Sequence, residues 1–207
     1  MVGEGVLLEC LEDPAVEKVL SVSRKPTLHE HAKLEQLIVP DFRKLDDVEA
    51  KLTGYDACFY CAGVSSVGMS EADYTAITYD MPIAFAGVLA RLNPAMVFTH
   101  VSGAHTDGSE KGRVMWARVK GRAENTLLRL PFKAVYNFRP GLMTPKPGQR
   151  HVKGAYRAAL VLAPVIKLFT PALTLAQVGR AMIRCVTHGA PKAVLEVADI
   201  AELANHA

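Results

Sequence analysis

The sequence predicts an α/β protein in which a mainly parallel β-sheet carries helices on both faces. Helical and extended patterns alternate along its 207 residues, as in folds built from strand–helix–strand units. The tract DACFYCAGV (56–64) is almost wholly apolar, which is typical of a strand covered on both faces. There is no internal repeat or linker, so we expect a single domain over 1–207.

The first half of the chain contains two helical and three extended patterns before its longest helix. Apolar positions at helical spacing indicate helices, and short β-branched tracts indicate strands. In chain order the predicted elements are a helix over 2–11, strands over 16–24 and 35–42, a short helix over 43–54 ended by Gly54, a strand over 56–64, and a helix that begins near Ser70 and runs to Leu92.

The second half continues the alternation. The pattern Thr174-x-x-Gln177 is a capping box, which marks the start of a helix. The predicted elements are strands over 95–103 and 133–141, a helix over 112–130 between them, a helix from the capping box to Gly189, and a last strand over 192–200.

Composition narrows the class of function. Half of the residues are hydrophobic and 22% are charged, with a net charge of +3 and no basic run, so we expect no nucleic-acid partner. Glu4 and Glu9 stand where a signal peptide would carry positive charge, which predicts a cytoplasmic protein. Charged residues and prolines interrupt the apolar tract 155–176, which predicts no membrane span.

Two of the four cysteines form a C-x-x-C pair, Cys58 and Cys61. The pair could be a redox site or half of a zinc site. The second half of a zinc site is absent, and the surrounding tract is that of a buried strand. We therefore favour cysteines that pack as small apolar side chains, with no metal site.

Three residues form the candidate active site of the sequence. Ser102 ends a predicted strand, and Trp116 and Lys120 follow it one helical turn apart on one helix face. This arrangement resembles the short-chain dehydrogenase/reductase superfamily, in its extended or atypical NAD(P)-binding, epimerase-like branch. In that family a Ser and a Tyr-x-x-x-Lys form the active site. The resemblance implies that Lys120 holds the nicotinamide ribose and that an aromatic hydroxyl exchanges a proton with the substrate.

This chain departs from the family pattern at the aromatic residue. Trp116 stands in the Tyr position, and an indole N–H donates a hydrogen bond but does not act as an acid or base near neutral pH. The alternatives are a core aromatic for Trp116, a role it could combine with a place in the site, a solvated lysine for Lys120, and a turn hydroxyl for Ser102. For Lys120 we favour contact with the cofactor. His105, Asp107 and Tyr79 are alternative proton donors, among which the sequence does not choose.

The resemblance covers nearly the whole chain and implies a Rossmann-like, doubly wound fold. The family places its cofactor in turns that follow the strands. It therefore implies cofactor contacts from residues after four predicted strands, and from Lys120. These residues are Arg24 and Lys25, Asp41 and Phe42, Ala62 and Gly63, and Pro140 and Gly141.

Residues Arg24 and Lys25 also predict which nicotinamide cofactor is used. An NAD enzyme carries a carboxylate at the end of this strand to bind the ribose 2′-hydroxyl. Here a guanidinium and an ammonium stand there, and these groups pair with a 2′-phosphate. We expect NADP in preference to NAD, although an ordinary charged turn would look the same.

The start of the chain matches only part of the family's phosphate-binding pattern of strand, G-x-x-G-x-x-G and helix. Gly3 fits the third glycine, which lets the helix pack closely on a strand. The first two glycines and the preceding central strand would fall before Met1. We therefore expect about a dozen further residues at the amino terminus of the natural protein.

Together these observations predict an NADP-binding, epimerase-like oxidoreductase that transfers hydride to or from an unidentified small carbonyl or alcohol. The loops 64–73 and 104–113 and the tract 144–156 would line the substrate site, and the family makes a homodimer plausible. The alternative, motivated by Trp116, is a catalytically silent NADP-responsive regulator that uses the tract 155–176 to contact a partner.

Overall fold

A computed structural model describes residues 1–150 and 172–205. The described residues form an α/β fold with parallel strands, as the sequence predicts. The parts of the predicted tracts 144–156 and 155–176 that fall within 151–171 lie outside the described residues. Among the described residues, no helix is long and apolar enough to cross a bilayer.

The strands form three parallel groups. Strands β1 and β2 pair with each other, β3, β4, β5 and β8 form a four-stranded sheet in that order, and β6 pairs with β7. Their bounds are β1 Val19–Ser23, β2 Leu34–Ile38, β3 Ala57–Tyr60, β4 Val97–Val101, β5 Ala134–Phe138, β6 Leu142–Thr144, β7 Ala172–Thr174 and β8 Val194–Leu195.

The helices alternate with these strands. The helices are α1 Val2–Glu12, a 3₁₀ helix Asp46–Leu52, α2 Glu71–Thr75, a π-helical turn Ala76–Asp80, α3 Met81–Leu92, α4 Met115–Leu127, α5 Leu175–Thr187 and α6 Val197–Asn205. The two predicted caps are present. The Ser70 hydroxyl accepts from the Asp73 amide, and Thr174 and Gln177 form the reciprocal capping box.

Two apolar clusters lie on opposite faces of the sheet. One contains Val6 of α1, Met182 of α5 and Ile200 of α6. The other contains Phe85 of α3 and Leu127 of α4. Helices therefore cover both faces, which explains why the intervening strands are apolar throughout.

Strands β1 and β3 are not hydrogen-bonded to each other, and within the described ranges no strand lies between them. Helix α1 contacts both of them. Near its first turn, a Cβ added to Gly3 would lie 3.3 Å from the Cβ of Cys61, just after β3. The amino end of α1 therefore packs closely at the carboxyl end of β3.

The structure corrects the prediction for the end of the chain. A strand was expected over 192–200, but β8 contains only Val194 and Leu195, and α6 begins at Val197. The Asp199 carboxylate accepts from the Glu196 amide at 3.0 Å and so favours a helical start. The apolar residues of this segment, whose spacing also fits a strand, form instead the face of α6 that is buried against α5.

Three smaller differences concern local geometry. The helix predicted over 43–54 is a 3₁₀ helix over Asp46–Leu52. The predicted strands are each shorter in the structure, and the short strands β6 and β7 have no clear sequence pattern. Their pairing depends on chain segments about 30 residues apart, which a local pattern does not report.

The cysteines of the C-x-x-C pair are free and partly buried. Burial raises the pKa of the Cys61 thiol to about 12 and raises that of Cys58 as well. Both thiols therefore stay protonated near neutral pH. This agrees with a packing role, because thiol–disulfide exchange and metal binding need the thiolate.

Candidate functional site

The parallel strands bring the predicted site residues to one edge of the molecule. Strands β1, β3, β4 and β5 run in the same direction within their groups, so the residues that follow them lie at the carboxyl edge. In open α/β sheets this edge is where ligands bind. It is therefore the candidate site.

Ser102 directly follows β4 and is buried. Its hydroxyl lies 3.1 Å from the Thr106 hydroxyl, which donates to the Gly103 carbonyl at 2.7 Å. The Thr106 hydroxyl donates its only hydrogen to the Gly103 carbonyl. The Ser102 hydroxyl therefore donates to the Thr106 oxygen. The lone pairs of Ser102 stay available, so in this arrangement Ser102 can accept a hydrogen bond.

Lys120 lies on α4 beside the same loop. A Cβ added to Gly103 would lie 3.8 Å from the Cδ and Cε atoms of Lys120. Burial lowers the pKa of the Lys120 ammonium, and the nearby Glu124 carboxylate partly opposes this effect. Both Glu124 oxygens bind the Arg139 guanidinium. The ammonium has no hydrogen-bond partner in the described part of the chain.

Trp116 precedes Lys120 by one turn of α4 and is half-buried. It lines a cavity of about 190 Å³ that opens beside the loop after β4. The other residues that line this cavity are His105, Asp107, Gly112, Arg113, Val114 and Ala117. The residue for which the sequence resemblance predicts the Tyr position thus lines an open cavity.

The loop after β4 is fixed directly onto α4. The Asp107 amide donates to the Ala117 carbonyl at 3.1 Å. A Cβ added to Gly121 would lie 1.8 Å from the Asp107 carbonyl oxygen, so only glycine permits this approach. The contact holds the cavity residues of the loop against those of the helix.

Of the three alternative proton donors, two are already engaged. The Asp107 carboxylate accepts from the Ser109 hydroxyl and from the amides of Ser109 and Gly112, and these bonds lower its pKa. The Tyr79 hydroxyl lies 3.2 Å from that of Thr126, one to two turns of α4 beyond Lys120.

The third alternative donor is His105, which lines the cavity together with Trp116. His105 is exposed and has a φ of 65°. This left-handed backbone conformation is uncommon for a residue other than glycine and occurs often at functional sites. His105 is therefore the candidate donor that the geometry favours.

A buried polar row runs under α4 across three strands. His100 of β4 is paired in register with Tyr60 of β3 and with Asn137 of β5. The imidazole Nδ1 lies 3.1 Å from the Asn137 Oδ1, so it carries the proton. Burial lowers the pKa of His100 to about 3, and the charge of Lys120 adds to the effect. His100 is therefore neutral at physiological pH.

The residues predicted to contact the cofactor occupy two parts of the edge. Gly3, Ala62 and Gly63 lie together where the amino end of α1 meets the end of β3. Gly63 is exposed, and an added Cβ there would meet no atom within 4 Å. The Pro140 carbonyl accepts from the Ala104 amide, which joins the turn of Pro140 and Gly141 to the loop after β4.

The remaining predicted residues follow β1 and β2. Arg24 and Lys25 are exposed, and neither side chain has an ion-pair partner among the described residues. The Asp41 carboxylate is held by Arg43, which lowers its pKa to about 2. Phe42 is buried, with its ring centroid 5.5 Å from that of Phe85. Its side chain thus packs in the core, and only its backbone is available to a ligand.

Sequence reasoning did not single out Arg113 or Thr106. Arg113 lies within the predicted substrate loop 104–113 but carries no motif, and Thr106 is an ordinary loop residue. Their roles depend on the path of the loop across α4. Among the described residues, no group of three His, Cys, Asp or Glu side chains could hold a metal ion.

No model of a protein family matches the sequence, and no curated protein matches it. Solved structures of similar fold do exist. WbmG of Bordetella bronchiseptica, in complex with NAD and UDP, has a TM-score of 0.70 and 13% sequence identity, with 95% of this chain and 69% of that chain covered. RMD of Pseudomonas aeruginosa, in complex with NADPH, has a TM-score of 0.62 and 18% identity over 95% of this chain and 71% of that chain.

A putative NAD-dependent epimerase/dehydratase of Bacillus halodurans has a TM-score of 0.64 and 16% identity, with 98% of this chain and 94% of that chain covered. The chain has the fold of these three proteins, and the predicted fold class is therefore confirmed.

The close contact at Gly121 yields a stability prediction. Gly121→Ala should lower the free energy of unfolding by roughly 3 kcal/mol, because the new methyl group overlaps the Asp107 carbonyl. Gly87→Ala is the matched control within α3. It meets no atom within 4 Å and should stabilise the protein by about 0.5–1 kcal/mol. Urea unfolding followed by circular dichroism measures the free energy of unfolding of both variants. Equal changes in the two variants would contradict the close contact between Gly121 and the Asp107 carbonyl.

The buried His100 predicts a pH dependence of stability. Its pKa is about 3 in the folded protein and near 6.5 when unfolded, so the unfolded chain binds the extra proton between these values. Stability should therefore fall as pH drops from 6.5 towards 3, with His100 contributing up to ~1.4 kcal/mol per pH unit. His100→Gln should flatten this slope in urea titrations. Exposed His31→Gln serves as the control and should leave the slope unchanged.

Proposed function

We propose that the protein is an NADP-binding, epimerase-like oxidoreductase that transfers hydride to or from a small carbonyl or alcohol substrate. The observation that carries this proposal is the cavity beside Trp116, one helical turn before Lys120, in a chain that has the fold of proteins solved with NAD or NADPH. A reductase needs a cation near the nicotinamide ribose and a proton source near the substrate.

The residues present fit a nicotinamide dinucleotide. The amino end of α1 has no side-chain cap, and its amides favour an anionic group such as a pyrophosphate. The Lys120 ammonium is largely desolvated and has no partner in the described part of the chain, so it is available to the ribose. Arg24 and Lys25 are exposed and free of ion pairs there, as binding of a 2′-phosphate requires.

We extend the proposal to the mechanism through the protein's own side chains. When bound, the reduced nicotinamide supplies hydride to the carbonyl carbon. His105 gives the proton that the carbonyl oxygen needs, since Asp107 and Tyr79 are engaged elsewhere. Ser102 accepts a hydrogen bond through its free lone pairs. The Trp116 indole bounds the cavity, and its N–H can orient the substrate oxygen.

The unpaired edges of β1 and β3 support a second part of the proposal. About a dozen further residues at the amino terminus would supply a strand between β1 and β3, and a turn that leads into α1. The backbone groups of both edges would then be paired. Extending the gene through the upstream reading frame tests this point, because the longer chain should bind NADPH more tightly than the 207-residue form.

Cofactor choice is tested by calorimetric titration with NADPH and NADH. We expect NADPH to bind at least tenfold more tightly, because Arg24 and Lys25 pair with the 2′-phosphate. Arg24→Ala should remove most of this preference and leave NADH binding unchanged. Lys18→Ala is the control, since Lys18 lies at the opposite end of β1 and pairs with Glu35. Equal affinities for both cofactors, unaffected by Arg24→Ala, would refute the NADP assignment.

The position of Trp116 favours one other function, that of a catalytically silent NADP-responsive regulator. An indole cannot take over the proton transfer of a tyrosine. Following NADPH oxidation with a panel of aldehydes and ketones separates the two functions. Turnover that His105→Gln abolishes supports the oxidoreductase, whereas cofactor binding without turnover across the panel supports the regulator.

A further inference from the structure

The cavity beside Trp116 carries two cationic or polar donors with no partner. Within residues 1–150 and 172–205, the side chains of Arg113 and His105 form neither a hydrogen bond nor an ion pair. Both line the cavity of about 190 Å³. An unpaired guanidinium at the wall of a concave site is available to a ligand.

Three other arginines near α4 are already engaged. Arg118 binds Glu71 and the Gly112 carbonyl, Arg122 lies over the Tyr79 ring, and Arg139 binds Glu124 and Glu196. Arg113 differs from these three, because among the described residues its side chain has no such partner.

The one carboxylate that lines the cavity, that of Asp107, forms no ion pair with Arg113 in the described part of the chain. Asp107 accepts hydrogen bonds through both of its oxygens, Oδ1 from Ser109 and Oδ2 from the Gly112 amide. The carboxylate is thereby committed to shaping the loop 107–112. The cavity is lined by Arg113, His105 and Trp116, together with the Asp107 carboxylate, which keeps its negative charge.

We propose that the cavity binds a small carbonyl compound that carries an oxyanion, either a carboxylate or a phosphate, and that Arg113 is the residue that selects it. This inference rests on the proposed function and names its substrate class. A planar guanidinium binds either oxyanion through two parallel hydrogen bonds, which a lysine does not reproduce. The Trp116 ring packs against the carbon skeleton of the substrate.

The volume of the cavity suits a small substrate. Sites for drug-sized ligands usually enclose about 300–1,000 Å³. A cavity of about 190 Å³ accommodates a compound of a few carbon atoms with its charged group. With the oxyanion on Arg113, the carbonyl oxygen can take a proton from His105 while its carbon accepts hydride from the reduced nicotinamide.

Trp116 provides a direct readout, because it is the only tryptophan of the chain. Ligands that enter the cavity should change its fluorescence with or without cofactor. The probes are 4-oxopentanoate, its uncharged amide, dihydroxyacetone phosphate and dihydroxyacetone. We expect saturable changes with the two anions and at least tenfold weaker binding of the two neutral compounds. The tighter of the two anions then identifies the carboxylate or the phosphate as the preferred group.

Variants assign the selectivity to one residue. Arg113→Gln should weaken binding of the anions about tenfold or more and leave the neutral compounds unchanged. Arg113→Lys should restore only part of the affinity. Lys111→Gln is the matched control, since it removes one positive charge from the same exposed loop but does not line the cavity. Circular dichroism checks that each variant is folded.

The outcomes separate this inference from the proposed function. Equal binding of charged and neutral compounds, equal effects of Arg113→Gln and Lys111→Gln, or no saturable change with any probe would overturn the inference. A saturable change in Trp116 fluorescence with UDP-glucose, but with none of the four small probes, would also overturn the inference. Calorimetry with NADPH is read independently, so selective anion binding without NADPH binding would refute only the oxidoreductase.

Discussion

The candidate site depends on one backbone contact, where the loop after β4 lies directly on α4. The Asp107 carbonyl approaches Gly121 so closely that no other residue fits, and the Asp107 amide bonds to the Ala117 carbonyl. This contact fixes the distance between two sets of side chains. Those on the loop include His105 and those on the helix include Trp116, so backbone packing sets the cavity that both of them line.

The electrostatics of the site follow from the same packing. Burial under the loop lowers the pKa of Lys120 and keeps His100 neutral beneath it. Glu124, which could neutralise Lys120, is instead held by Arg139. The structure thus leaves a desolvated ammonium at the sheet edge next to a neutral imidazole. Such an ammonium gains most from a polar ligand that restores its hydrogen bonds.

Trp116 lines the cavity at the start of α4. The helix and the loop after β4 pack together there, and this packing positions the indole. An indole is no acid or base near neutral pH, and it adds an apolar surface. On the loop, His105 and Arg113 line the cavity and have no side-chain partner within residues 1–150 and 172–205. His105 is therefore the proton donor in the function that we propose.

The sequence by itself determined the α/β class, most of the helices and the positions of Ser102, Trp116 and Lys120, because periodicity, caps and one-turn spacing are local properties. Tertiary structure decided the rest. It turned 197–205 into a helix, since burial against α5 outweighed an alternating pattern. It placed Phe42 in the core and engaged Asp107 and Tyr79, and it left Arg113 without a side-chain partner among the described residues. These outcomes depend on which distant residues meet, and no local pattern records that.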